Sequence, residues 1–280
     1  MIPAAFEYER AGSVDEAVAL LGRDEDAKLL AGGHSLIPLL RLRFARPSLL
    51  VDIGRLAELR YVRDDGDRIA IGALTRHAQL VHDPVLAQHC ALIGEAAAGI
   101  GDPQVRHRGT IGGSVAHGDP ASDLATIVLT LDADLVVRGP SGERTIPAAE
   151  FFTGMFETAL AREEILTEIR VPKVQEATYL KIARRSEDWA TVGVAAARVD
   201  GRVQVGLTSM GATPLRARSV EEALASGASP ADAATHTADG TSPPSDVSGS
   251  GEYRAHLAQV LVRRAVEQLK PFRMIARQND

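Results

Sequence analysis

The stretch GDPQVRHRGTIGGSVAHGDPASDL, residues 101–124, joins a glycine-rich loop to the start of a predicted helix. Its centre, Gly109 to Ser114, carries three glycines and two hydroxyl side chains, and Ser122 or Asp123 is expected to begin the helix. Glycine lets a ligand approach the backbone closely and permits positive φ. Since 12 of the 25 glycines lie between Gly32 and Gly118, we expect a binding surface built from backbone in this part of the chain.

A second glycine loop, Ala31-Gly32-Gly33-His34-Ser35, lies upstream between a predicted strand at 28–31 and a predicted helix at 36–42. Backbone N–H groups that converge with a serine hydroxyl suit a phosphate or diphosphate. The alternatives are an ordinary tight turn for this loop and a helix-start role for Asp123. Two such loops favour a shared dinucleotide, although neither fits G-x-G-x-x-G or the P-loop pattern.

Composition narrows the class of protein. The 280 residues are 45% hydrophobic and 24% charged, which indicates a folded chain. A net charge of −6 and 4% aromatic residues argue against nucleic acid or an anionic membrane as the main partner. A single cysteine, Cys90, cannot form a Cys₄ zinc site or an iron–sulfur cluster. We expect a cytoplasmic protein, because we find no signal peptide and no apolar run long enough for a membrane helix.

The pattern of elements predicts an α+β chain divided near residues 172–176. The first part is rich in glycine, and the second contains a hairpin and a helix. Two β-rich runs, 192–199 and 202–207, are joined by Asp-Gly and predict the hairpin. An apolar periodicity over 252–270 predicts the helix. Residues 227–251 are rich in Ser, Ala, Pro and Gly, so we expect a long and mobile loop there.

The sequence offers cofactor loops but no catalytic constellation. The eight histidines form no metal-binding pattern, and neither H-E-x-x-H nor G-x-S-x-G is present. No acid–base pair stands out. This combination is typical of an electron carrier.

Six motifs in order give a specific resemblance. The chain resembles the medium, FAD-binding subunit of the molybdenum hydroxylases, the group of carbon monoxide dehydrogenase and xanthine dehydrogenase, over almost its whole length. The motifs are AGGHSLIPLLRLR (31–43), IGALTRHAQL (71–80), GDPQVRHRGTIGGSVAHGDPASDL (101–124), EEILTEIRVP (163–172), YLKIARRSEDWA (179–190) and YRAHLAQVLVRRAV (253–266).

The resemblance implies a two-domain fold. Residues 1–174 would form a vanillyl-alcohol-oxidase-type (PCMH-type) FAD-binding domain of two α+β subdomains, at about 1–55 and 56–174. Residues 175–280 would form a C-terminal domain, with a three-stranded antiparallel sheet, helices and the flexible loop at 227–251.

The resemblance also implies which residues contact FAD. They are Ala31, Gly32, Gly33, His34, Ser35 and Leu36 in the first loop; Ile100, Gly101, Thr110, Gly113, Ser114 and Ala116 in the second; and Asp123, Leu166, Lys181 and Trp189. Asp123 would bind a polyol or ribose hydroxyl, and Lys181 and Trp189 would lie near the flavin. Two residues depart from the family pattern, because Ser114 replaces an asparagine and Trp189 replaces a tyrosine.

The implied function is electron transfer within a larger complex. Electrons would pass from a molybdenum cofactor through [2Fe–2S] clusters, all on partner subunits, to a non-covalent FAD on this chain. The partners would be a large molybdenum subunit and a small iron–sulfur subunit in a dimer of heterotrimers, with a quinone, NAD or another molecule as acceptor. Carbon monoxide is our first choice of substrate, and purines, aldehydes and N-heterocycles stay open.

Two other functions are compatible with the loops. One is a free-standing flavin oxidase of the same superfold, with FAD attached covalently through His34. The other is a non-enzymatic scaffold that binds a flavin or nucleotide.

Overall fold

The computed structural model of the chain describes residues 2–269. Its N-terminal part forms a parallel three-stranded sheet in the order β1-β3-β2. Ser13 caps the first helix by accepting a hydrogen bond from the Glu16 N–H at 3.1 Å. The elements are β1 (Glu7–Arg10), α1 (Val14–Gly22), β2 (Lys28–Leu30), α2 (Leu36–Leu42) and β3 (Leu49–Asp52). The first glycine loop therefore connects β2 to α2.

A five-stranded sheet follows, with helices packed against it. Its strands lie in the order β4 (Val62–Asp64), β5 (Arg68–Gly72), β10 (Ile165–Pro172), β6 (Asp134–Gly139) and β7 (Gly142–Pro147). In chain order its region contains a 3₁₀ turn (Ala57–Leu59), β4 (Val62–Asp64), β5 (Arg68–Gly72), α3 (His77–His82), α4 (Pro84–His89), α5 (Ala91–Ala98), α6 (Pro103–Arg108), α7 (Ile111–Ala116), α8 (Asp123–Thr130), β6 (Asp134–Gly139), β7 (Gly142–Pro147), α9 (Ala148–Phe151), β8 (Phe152–Gly154), β9 (Glu157–Thr158) and β10 (Ile165–Pro172). The second glycine loop connects α6 to α7 through Gly109 and Thr110 only. Its residues 111–114, expected as loop, form the first turn of α7.

The sequence of residues 85–98 predicts a single helix. The structure has two helices there, since the chain leaves helical geometry at Cys90 (φ −159°, ψ 64°). The break frees the His89 carbonyl, which accepts the N–H of Val174 at 2.7 Å. A long-range backbone hydrogen bond thus replaces a helical one. Burial raises the pKa of the Cys90 thiol to about 12, so this thiol stays protonated.

The C-terminal part is an antiparallel sheet covered by helices. Its elements are β11 (Ala177–Ile182), β12 (Val192–Val199), β13 (Arg202–Thr208), β14 (Leu215–Arg216), α10 (Arg218–Ala225), α11 (Pro230–Ala234) and α12 (Gly251–Gln268). The predicted hairpin is confirmed, and Asp200 and Gly201 both have the positive φ that an Asp-Gly turn requires. The sheet has four strands and not three, because the two-residue β14 pairs with β13.

The segment 227–251 contains a helix, so the expectation of a long loop is wrong over 230–234. Ser229 caps α11, Pro230 occupies its first position, and two alanines of the helix are fully buried. Alanine buries its methyl group at almost no cost in side-chain entropy, and a composition-based argument overlooks this. The mobility of the segment stays a prediction. Lys270, the expected end of α12, lies outside the described residues.

Helix α8 joins the two parts of the molecule. All eight of its residues are buried, and it packs on β12 and β13. A Cβ at Gly206 of β13 would overlap the Thr130 hydroxyl, so this glycine lets the helix lie close to the sheet. None of the helices within residues 2–269 combines the length and the apolar character needed to cross a membrane.

Candidate functional site

The two glycine loops lie against each other. A Cβ at Gly32 would overlap the backbone carbonyl of Arg108, and a Cβ at Gly113 would lie 3.9 Å from the Ala31 side chain. The loops are about 80 residues apart in sequence, and the structure brings them into backbone contact. They form one continuous surface.

The first loop presents a row of backbone donors. Within residues 2–269, none of the five N–H groups from Gly32 to Leu36 donates a hydrogen bond to another protein group. Gly33 has a φ of +81°, which turns the loop, and the Ser35 hydroxyl makes no cap hydrogen bond to α2. Consecutive unpaired N–H groups beside a hydroxyl form an anion-binding concavity.

The second loop uses its N–H groups internally. Ile111 and Gly112 donate to the carbonyls of Thr75 and Ala73, at 3.0 and 2.8 Å. The Gly113 N–H bonds the Thr110 hydroxyl at 3.2 Å, and Ser114 bonds the Thr110 carbonyl. This loop therefore contributes shape and the Ser114 hydroxyl, while the first loop contributes the N–H donors.

The glycines of the second loop serve different purposes. A Cβ at Gly112 would overlap Ala73, and one at Gly109 would lie 2.6 Å from the His77 ring, so both glycines are required for packing inside the protein. Gly113 is exposed, and its Cβ would meet only the Thr110 hydroxyl at 2.8 Å and Ala31. Gly113 is therefore the glycine of this loop that leaves its backbone open to a ligand.

The His77 side chain packs against the second loop, and the sequence did not predict this role. Its ring is buried, its Nε2 lies 3.5 Å from the Ser114 hydroxyl, and its Nδ1 has no partner among the described residues. Burial, and then the charges of His34 and Arg106, lower the pKa of His77 to about 4. At neutral pH the ring is uncharged. No spacing in the sequence signals this role, because the contact is long-range.

Arg106 positions the other part of the predicted second loop. Its Nη1 donates to the carbonyls of Ile100 and Gly101, at 3.1 and 2.7 Å. Gly101 has a φ of +50°, and Asp102 caps α6 through the Val105 N–H at 2.8 Å. The Arg106 guanidinium thus holds two of the expected contact residues in place. The sequence did not predict this role for Arg106.

Asp123 and Lys181 are brought together as a buried ion pair. The Lys181 Nζ lies 2.8 Å from Asp123 Oδ2, and the Tyr179 hydroxyl donates to Asp123 Oδ1 at 2.6 Å. Both donors come from β11, whereas Asp123 begins α8. Alternate residues of a strand point to the same face, which is how Tyr179 and Lys181 reach one carboxylate.

Tyr179 was not predicted as part of the site. Its hydroxyl also lies 3.2 Å from Thr208, whose own hydroxyl donates to Thr126 of α8 at 2.8 Å. A Cβ at Gly193 would overlap the Tyr179 hydroxyl, so this glycine makes room for it. Burial, and then the charge of Asp123, raise the pKa of Tyr179 well above its usual value. Tyr179 therefore remains a hydrogen-bond donor at all ordinary pH values.

The remaining predicted residues occupy three different settings. Leu166 is buried in the large core, where its side chain has a packing role. Ala116 ends α7 and is half-buried, and His34 is exposed. Trp189 is 61% exposed on the loop between β11 and β12, and no hydrogen bond or ring contact connects it to Asp123 or Lys181. No cluster of possible metal ligands occurs within the described part of the chain.

These features define a dinucleotide-binding protein. The row of unpaired N–H groups, the exposed Gly113 and the buried Asp123 suit a ligand with a diphosphate and hydroxyl groups. The residues present therefore fit FAD.

Comparisons with known proteins agree with this class. Residues 4–174 match the family described as FAD binding domain in molybdopterin dehydrogenase, and residues 177–269 match the CO dehydrogenase flavoprotein C-terminal domain. The medium chain of carbon monoxide dehydrogenase from Hydrogenophaga pseudoflava is 42% identical over 279 residues, which cover 95% of this chain and 97% of that protein. The alpha subunit of the 6-hydroxypseudooxynicotine dehydrogenase complex from Paenarthrobacter nicotinovorans is 40% identical over 280 residues, 95% of each chain.

A solved structure shares the fold. It is carbon monoxide dehydrogenase from Hydrogenophaga pseudoflava lacking the Mo-pyranopterin moiety of its cofactor, with a TM-score of 0.92 and 43% identity over 96% of this chain and 98% of that one. The chain belongs to the family of FAD-binding medium subunits of the molybdenum hydroxylases. It is a flavoprotein oxidoreductase subunit, and the predicted fold class, a PCMH-type domain followed by an antiparallel sheet with helices, is confirmed.

Proposed function

We propose that the chain holds a non-covalent FAD across its two glycine loops and carries electrons from an iron–sulfur partner subunit to an external acceptor. When bound, FAD supplies the redox chemistry, since it takes up electrons singly and releases them in pairs. The row of five unpaired N–H groups from Gly32 to Leu36 is the observation that carries the proposal.

The donor row accounts for diphosphate binding by an acidic protein. A diphosphate carries about two negative charges, and several aligned donors must compensate for its lost hydration. The N–H groups and the Ser35 hydroxyl provide them without a lysine cluster. Gly113 and the Ser114 hydroxyl would form the opposite wall, with the backbone of Ile100 and Gly101 held ready by Arg106.

Asp123 would bind a hydroxyl of the cofactor's polyol or ribose. An ionised carboxylate has about four acceptor positions. Tyr179 and Lys181 occupy two, so two are left for the ligand. The second part of the chain would then orient a residue of the first, and FAD binding would require both.

The partners would be a large molybdenum subunit and a small iron–sulfur subunit, assembled as a dimer of heterotrimers. The relatives' names support this, because they denote medium chains and subunits of complexes. For the complex we propose carbon monoxide as the substrate and a quinone, NAD or another molecule as the acceptor. The substrate would be selected on the large subunit, which is consistent with 42% and 40% identity to chains from two different dehydrogenases.

The test replaces Gly113 with valine in the isolated chain. The added side chain would enter the space where backbone meets the diphosphate, so we expect FAD affinity to fall at least tenfold while the circular dichroism spectrum is kept. Gly22→Ala is the matched control, because its Cβ would make only an ordinary contact at 3.6 Å with Glu163. Full FAD content in Gly113→Val would refute the assignment.

The same preparation tests covalent attachment through His34. Denaturation in acid should release all flavin from the chain. Flavin absorbance retained on the unfolded polypeptide would favour the oxidase alternative.

A further inference from the structure

Helix α2 is apolar on nearly all sides, and yet it is barely buried. Its sequence, LIPLLRL, has six apolar residues out of seven, but Leu40 alone is buried. Ile37 is 45% exposed, Leu42 50%, and Phe44 just after the helix 79%. A helix that is hydrophobic all round is normally covered by other protein. In this helix, four of the seven residues are exposed.

A fourth apolar side chain lies beside the helix. The Arg43 Nε donates to the Ile2 carbonyl at 3.3 Å, and Ile2 is 81% exposed. We call Ile2, Ile37, Leu42 and Phe44 the α2 face. Exposed apolar side chains concentrated in one short segment are typical of an interaction site on a folded protein.

Three arginines lie within helix α2 or just after it. Arg41, Arg43 and Arg46 are exposed, and no carboxylate among residues 2–269 forms an ion pair with any of them. Residues 28–51 contain no Asp or Glu, although the whole chain has a net charge of −6. The α2 face is therefore an apolar patch with a basic rim on an acidic protein.

We propose that the α2 face docks a partner subunit of the complex that presents an apolar patch bordered by Asp and Glu. Apolar contact at the centre would give affinity, and the arginines would pair with the acidic border. Arginine and aromatic residues such as Phe44 are also the types enriched in protein interfaces.

Two other occupants fit less well. A membrane surface would be held by one helix of seven residues, about 10 Å long, and by three arginines, whereas stable anchoring takes stronger combined signals. A second copy of this chain would have to offer an acidic patch elsewhere on its surface. Such a head-to-tail contact produces open filaments unless it closes into a ring.

The α2 face is connected to the donor row. A Cβ at Gly33 would lie 2.7 Å from Ile37 Cδ1, so Ile37 packs directly on the first glycine loop. A partner docked here would lie next to the proposed cofactor site. The docking inference takes its partner subunits from the proposed function, but it does not require the FAD assignment, because the surface is argued from exposure and charge.

The experiment measures assembly of the full chain with its co-expressed large and small subunits. Leu42→Gln/Phe44→Ser removes the apolar centre, and Arg41→Glu/Arg46→Glu reverses the rim. Val247→Ser and Arg202→Glu are the matched controls, since Val247 is also highly exposed and Arg202 is an exposed arginine elsewhere. We expect at least tenfold weaker association for both test variants and no change for the controls. The rim variant should also lose most of the salt dependence of binding.

Amide hydrogen exchange gives a second readout, and residues 36–46 should exchange more slowly in the complex than in the isolated chain. Normal assembly of both test variants would overturn the proposal. So would binding of the wild-type chain to phosphatidylcholine–phosphatidylglycerol vesicles that the variants lose, or self-association that they lose. Loss of FAD with intact assembly would assign the α2 face to the cofactor site instead.

Discussion

At the scale of single residues, the candidate site depends on side chains that hold the expected contact residues in place. Tyr179 and Lys181 of β11 hold Asp123, which begins α8. Arg106 holds the carbonyls of Ile100 and Gly101, and His77 packs against the second loop. Groups in such supporting positions set the geometry of the residues that touch a ligand. Changes to these groups should therefore affect the stability of the whole site.

His77 makes the stability of the chain depend on pH. Unfolded His77 takes up a proton below about pH 6.5, but folded His77 does so only near pH 4. The unfolded state therefore binds more protons between these values, and stability falls as the pH falls from 6.5 to 4. We expect a loss of about 2 kcal/mol between pH 7 and pH 5 that His77→Gln, which cannot titrate there, does not show. Urea unfolding at the two pH values measures it.

A direct measurement can contradict this expectation. If NMR titration of the folded protein gives His77 a pKa near 6.5, the ring is solvated and the pH dependence has another source.

At the scale of elements, the closeness of α8 to the C-terminal sheet depends on glycines in the strands. Gly206 leaves room for the Thr130 hydroxyl, and Gly193 leaves room for Tyr179. Glycine within a strand often marks a place where another element comes close. The same contacts carry the hydrogen bonds from Thr208 to Thr126.

Gly206→Ala should destabilise the chain by about 2 kcal/mol, because a methyl group would be forced into a packed helix–sheet contact. Thr130→Ala removes the hydroxyl that the methyl would overlap. The double variant should therefore lose less stability than the two single variants added together. Urea titrations of the four proteins measure this coupling. Strict additivity would mean that the helix moves away from the sheet instead of resisting the methyl group.

The sequence predicts some elements well because their signals are local. Asp200-Gly201 specifies a turn, and the run 36–42 after the first glycine loop is a helix as expected. The two-residue β14 was missed because it exists only through its pairing with β13. The short α11 was missed because its local signals, the Ser229 cap and Pro230, do not show in the overall composition of the segment. The break at Cys90 was missed because it is explained by the long-range hydrogen bond from Val174.

The candidate site, like the fold, is predictable from the sequence only in part. The glycine loops carry a recognisable pattern, but the roles of individual glycines depend on what lies opposite them. Gly112 faces Ala73 and Gly32 faces the Arg108 carbonyl, and neither contact can be inferred from spacing. Tyr179 and His77 are invisible to motif reasoning, because each contacts its partner across tens of residues of sequence.

At the scale of the whole molecule, the chain belongs to a family of FAD-binding subunits, and its two glycine loops form a candidate cofactor site. No group of possible metal ligands occurs within residues 2–269, and the one thiol, Cys90, is buried. Under the proposed function, electrons would reach the chain from another protein. The α2 face provides a surface on which such a protein could dock.

The FAD-loaded isolated chain should not be reduced by carbon monoxide, a purine or an aldehyde, whereas the assembled complex should be reduced by its substrate. Stopped-flow absorbance of the flavin measures both rates, and a chemical reductant that bleaches both samples is the control. If the isolated chain is reduced by a substrate as fast as the complex, this chain oxidises that substrate itself and the electron-transfer proposal is wrong.

The contact between Gly32 and the Arg108 carbonyl has a consequence for recombination between related proteins. Two segments separated by some 75 residues share one backbone interface that leaves no space for a single methyl group. A change in one segment therefore restricts which changes the other can accept. In chimaeras between relatives, a crossover placed between the segments would combine halves that never adapted to each other. Recombination should preserve function best when both loops descend from the same parent.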